Sequence, residues 1–175
     1  MERQQGYFKM FDPTAFDNLK VVLEGEIYDA DLEGIIEVIK RKDIVDLAAM
    51  SRTYQNTFSL KEGNRNAAAE FSLKMSTSQL SGELLKKESN PGCEVHLKFH
   101  VYSPYDQTHA RSIVIENWGA HHSVTHHLSH TIPAETYKHT FVIDFRRLIG
   151  EDQMDDLIAM AEHAIDTLDE IEKKR

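Results

Sequence analysis

The stretch Val95-His96-Leu97-Lys98-Phe99-His100-Val101-Tyr102 decides the fold. Apolar and polar residues alternate along it, the period-two signature of a strand with one buried face. Val95, Leu97, Phe99 and Val101 are predicted to face the core, with His96, His100 and Tyr102 opposite. Upstream, Asn90-Pro91-Gly92 reads as a turn. Before it, Phe71, Leu73 and Met75 alternate, as do Tyr54, Phe58 and Leu60, with Gly63-Asn64-Arg65-Asn66 between the two runs. Downstream, Ser103-Pro104-Tyr105-Asp106 ends the strand, Ile113-Val114-Ile115 starts another, and Tyr137, His139, Phe141, Ile143 and Phe145 make a last one. Short turns between consecutive strands imply antiparallel pairing, because parallel pairs need long crossovers.

The flanks complete the expectation. Leu19, Val21, Leu23, Gly25 and Ile27 alternate with charged residues and read as a first strand. Residues 31–51 read as a helix pair, with Leu32, Ile35, Ile36 and Ile39 in one helix, Ile44, Leu47 and Ala48 in the other, and Lys40-Arg41-Lys42 between them. Leu84 suggests a further short strand. At the C-terminus, Met154, Leu157, Ile158, Ala161, Ile165, Leu168 and Ile171 keep helical spacing from about Glu151 to Ile171. The predicted class is therefore α+β. A curved antiparallel sheet of six to seven strands follows, with a helix pair after the first strand and a long C-terminal helix packed on one face. Residues 1–175 read as one domain, with 1–15 a loose segment whose Phe8, Phe11 and Phe16 are available to dock.

This order of elements, from Leu19 to Arg175, resembles the helix-grip arrangement of the START and Bet v 1-like superfamily. In that family a long C-terminal helix lies across a curved antiparallel sheet and can enclose an apolar cavity. The resemblance implies a small hydrophobic ligand.

Composition narrows the partners. Net charge is −9 over 175 residues, and the basic clusters Lys40-Arg41-Lys42 and Lys173-Lys174-Arg175 suit helix C-termini better than a phosphate-binding face. Nucleic acid is thus not an expected partner. No apolar run approaches the ~20 residues that cross a bilayer, the N-terminus lacks a signal-peptide core, and the one cysteine, Cys93, allows no internal disulfide. The expected setting is the cytoplasm, with no membrane contact.

One segment stands apart: Trp118-Gly-Ala-His121-His122-Ser-Val-Thr-His126-His127-Leu-Ser-His130. Five of the ten histidines lie in these last ten positions. Neutral imidazole binds zinc, copper, nickel or iron. Gly119 and Pro133 bracket a stretch of strand or loop length, and Val124 and Thr125 disfavour a helix, so the segment reads as strand or irregular structure. On a strand, His122 and His126 share a face about 13 Å apart at ~3.3 Å per residue, so a metal would need cross-strand partners. His122, His126 and His130 are the candidate ligands, with His96 or His100 as partners and zinc as one candidate ion. An ordinary polar sheet face is the plainer reading. Two functions are expected in order: a non-enzymatic domain that binds a small apolar ligand or a protein partner, including a second copy in a homodimer, and then a metal-dependent enzyme or metal-binding protein built on residues 121–130.

Overall fold

A computed structural model describes residues 14–85, 91–104, 106–133 and 135–173; Phe8, Phe11 and Asn90 lie outside them. The chain opens with helix α1 (Ala15–Leu32). Strands β1 (Ile36–Asp46), β2 (Ser51–Leu60) and β3 (Ala67–Met75) follow, then helix α2 (Thr77–Leu84) and strand β4 (Gly92–Tyr102). Helix α3 (Gln107–Trp118), strands β5 (Ser123–His130) and β6 (Tyr137–Gly150), and helix α4 (Met154–Glu172) complete it. The six strands form one open antiparallel sheet in the order β1-β2-β3-β4-β6-β5. The class is the α+β class expected, with the long C-terminal helix in place.

The N-terminal third differs from the reading by periodicity. Residues 15–32 are a helix, not a strand. Leu19, Leu23 and Ile27 are four apart, so they satisfy a two-residue and a helical period alike. Phe16 and Ala30, both buried, extend only the helical one, while Val21 is exposed. A capping box starts the helix: Thr14 Oγ1 accepts from the Asp17 amide, and the Asp17 carboxylate accepts from the Thr14 amide. Gly34, at φ 79°, then turns the chain into β1.

The expected helix pair at 31–51 is instead β1 and the turn into β2. Six β-branched residues between Ile35 and Val45 favour a strand. Its alternation is hidden because the pairing with β2 shifts between Val38 and Lys40, a bulge that absorbs Ile39. Beyond it the helix-side positions Arg41 and Asp43 are polar. Arg41 pairs with Glu24 at 3.1 Å, and Lys20 pairs with Asp43. Arg52 of β2 pairs with Asp17 at 2.8 Å.

Ile113-Val114-Ile115 lies in α3, not in a strand. Asp106 caps that helix by accepting from the Thr108 and His109 amides, and Ala110, Val114 and Trp118 bury one stripe. Residues 77–84, including Leu84, are helical too. The helix-grip order, strand first, is thus replaced by helix first and by α2 and α3 set between strands.

The central strand behaves as its alternation predicts. Val95, Leu97, Phe99 and Val101 are buried beneath the helices, in one core with Phe16, Leu19, Leu23, Phe71, Phe141, Leu157 and Leu168. The opposite sheet face carries Thr53, Gln55, Glu70, Ser72, His96, Lys98, His100 and Thr140, in register across β2, β3, β4 and β6. Among the described residues no helix is long and apolar enough to cross a membrane.

Candidate functional site

The histidine-rich segment forms β5, an outer strand paired on one side to β6. Their register is unbroken and sets His126 opposite Phe141 and His130 opposite Tyr137. His122, just before the strand, extends the same spacing toward Phe145. Each imidazole meets its ring. Centroids are 4.7 Å apart for His122 and Phe145, 4.5 Å for His126 and Phe141, and 4.4 Å for His130 and Tyr137. Every fourth residue of the segment thus covers an aromatic of β6 on the helix side of the sheet. An imidazole suits this position on an outer strand, since one face packs on a ring while its nitrogens reach polar surroundings.

Trp118 closes one end of this ladder. It is buried, its indole Nε1 donates to Thr167 Oγ1 at 3.0 Å, and its ring lies edge-on to Phe145 and against His163. Helix α3 turns it inward.

The position opposite Leu128 on β6 is His139, which is buried. Its Nδ1 lies 3.0 Å from Nε2 of His126, with the two rings tilted by 37°. Partial desolvation, His139 and the Arg111 guanidinium, in that order, hold the His126 imidazole below its ordinary pKa. His122 is lowered as well, by burial first, then by His121 and Arg147, with Asp144 opposing. Beside His139 a cleft of about 460 Å³ opens, lined by Ser103, Pro104, Gln107, Leu128, Tyr137 and His139.

The expected ligands are dispersed by this geometry. His122, His126 and His130 share the helix side, but each sits against a different ring. His96 and His100 lie on the opposite face, in register with Asp144 and Thr140. The sheet itself separates them from His126. Among the described residues no three His, Cys, Asp or Glu side chains are grouped to hold a metal ion. His139 is the neighbour that sequence reasoning missed. It appeared there only as a core position of the last strand, and the two-residue offset that brings it diagonal to His126 depends on the β5–β6 register.

The other sheet face has its own cluster. Lys98 Nζ is 2.7 Å from Glu70 Oε1, and His100 Nε2 is 3.4 Å from Glu70 Oε2. His100 Nδ1 is 3.0 Å from the Thr140 hydroxyl. The hydrogen bond with His100 and the ammonium of Lys98 hold the Glu70 carboxyl down at about 2, against the opposing effect of burial. Cys93 is buried, and burial pushes its thiol up to about 12, which disfavours the thiolate that a metal ligand or nucleophile needs.

Comparison with protein-family models, with curated proteins and with solved structures finds no match for this chain.

Proposed function

We propose that the chain is a protein-interaction domain that pairs with a second copy of itself along β5, extending the sheet across a homodimer. The carrying observation is the contrast between the two outer strands. β1 holds Glu37, Lys40, Arg41, Lys42, Asp43 and Asp46 and is broken by a bulge, devices that keep a strand edge from pairing. β5 has none of these: Ser123–His130 contains no Lys, Arg, Asp, Glu or Pro, and its register is continuous.

The strand is also self-complementary. Directly opposed residues of an antiparallel pair share a sheet face, so a twofold axis normal to the sheet must pass through a residue. With the axis at His126, Val124 opposes Leu128 of the second copy, and Thr125 opposes His127. Leu128, 60% exposed in the single chain, would gain an apolar neighbour. The apolar-ligand reading has weaker support, since the cleft beside Leu128 is open and lined by polar and apolar residues together. We place the domain in the cytoplasm, on the strength of its single buried cysteine.

Sedimentation or light scattering tests the pairing. The wild-type chain is expected to show a concentration-dependent dimer. Leu128→Lys, which sets a charge on the pairing face at an exposed position, should shift it to monomer while leaving monomer stability within about 0.5 kcal/mol. Ile44→Lys on β1 should leave the mass unchanged. A wild-type monomer at every concentration, or dissociation by Ile44→Lys alone, would refute the assignment.

A further inference from the structure

We propose that the facing nitrogens of His126 and His139 are a two-histidine site for a transition-metal ion, with copper(II) the tightest binder. The site lies within a single chain and needs no second copy. It rests on three observations.

The first is spacing. Nε2 of His126 and Nδ1 of His139 are 3.0 Å apart. Two imidazole nitrogens bound to one ion at ~2.0–2.1 Å stand roughly 3–3.3 Å apart for bond angles between square and tetrahedral. The pair is therefore at bite distance without a change of backbone, and a modest turn of each ring brings the two lone pairs to a common point.

The second is restraint. His139 is buried in β6, and His126 is stacked on Phe141 with their planes 23° apart. Both rings belong to strands joined in continuous register. Little freedom is lost on binding, which favours chelation.

The third is access and chemistry. His126 is exposed, and the cleft lined by Gln107, Leu128, Tyr137 and His139 opens on the same side of the sheet, so the remaining coordination positions would be taken by water or an added small ligand. The metal-free pair is joined by an N–H···N hydrogen bond. On binding, the donor ring shifts its proton through solvent to its other nitrogen, so both rings stay neutral and both facing nitrogens become ligands, with no net proton release at neutral pH. Arg111 acts on His126 and opposes any cation there. That penalty is alike for every divalent ion, and the two imidazole donors set the ranking, in the Irving–Williams order with copper first and magnesium or calcium last.

The experiment uses the untagged chain stripped with a chelator and titrated calorimetrically with Cu(II), Ni(II) and Zn(II). One ion per chain is expected, with copper tightest. The Cu(II) spin-resonance spectrum should show coupling to two imidazole nitrogens. His126→Gln, at an exposed position, should weaken copper binding at least about 100-fold, more than loss of an outer-shell partner usually costs. His139→Gln should do the same. The double variant His122→Gln with His130→Gln, and His127→Gln on the opposite sheet face, should keep wild-type affinity. Folding of each variant is checked by circular dichroism; should buried His139 not tolerate replacement, His126→Gln and the nitrogen coupling decide. Repeating the titration at dilutions where the chain is monomeric separates this site from β5 pairing, since binding should persist in the monomer. Absence of bound copper, undiminished affinity in His126→Gln, or loss of binding in the His122/His130 or His127 variants would overturn the assignment.

Discussion

Glu70 is held tightly by its surroundings. It lies on the sheet face away from the helices, yet its side chain is only 16% exposed, between Lys98 and His100. A carboxylate held at about 2 binds its proton less readily in the folded chain than in the unfolded one. Its contribution to stability is therefore present above the ordinary carboxyl value near 4.5 and is lost as pH falls toward 2. Glu70→Gln keeps the shape and removes the charge. It should cost about 1.5–3 kcal/mol at neutral pH, the range for hydrogen bonds to a charged group. The variant should also flatten the acid limb of a denaturation profile between pH 5 and pH 2. An equal acid limb in both proteins would show that other carboxylates dominate it.

Helix α1 and strand β1 show at the element scale why one part of this fold is legible and another is not. Gly25 lies in the exposed middle of α1, and a Cβ added there meets nothing within 4 Å. In a helix interior Gly is about 0.5–1 kcal/mol less favourable than Ala. Gly25→Ala should stabilise the chain by that amount in denaturant unfolding, and a loss instead would contradict a helix at this position. The sequence misleads here because Leu19, Leu23 and Ile27 fit both periods, and a β-bulge at Ile39 scrambles the alternation of β1. The Ile-Val-Ile triplet of α3 misleads in the opposite direction, since tertiary burial overrides its β propensity. By contrast, β2, β3, β4 and β6 were legible because the large apolar residues of each lie on one face, and α4 because five turns keep one apolar stripe. Of the candidate site, the strand character of 123–130 and His126 itself were legible. His139 was not, because neighbours across strands are set by register, which no single strand encodes.

At the scale of the whole molecule, the histidine ladder links pH to both stability and association. His122 and His126 have lowered pKa values, so the unfolded chain takes up protons first as pH falls below about 6.5. Stability is whole above that value and declines as pH drops through the depressed folded values, the reverse of the behaviour of a histidine paired with a carboxylate. The groups facing these rings reinforce the direction. Arg111 of α3, Arg147 and His139 of β6, and His121 and His127 of the same segment oppose a charge on them, while Asp144 alone favours one at His122. Pairing through β5 with the axis at His126 would set two of these imidazoles side by side, so protonation would add like charges at the centre of the interface. The dimer should therefore dissociate over the same interval in which the melting temperature begins to fall. Mass and melting temperature measured from pH 7.5 to 5.5, with chelator present to keep metal out of the comparison, would test this. Wild type should lose both together, whereas His126→Gln, with no ring to charge at the axis, should hold its dimer to lower pH. A wild-type dimer that persists unchanged to pH 5.5 would mean that the axis does not lie at His126, and that the ladder covers β6 without governing assembly.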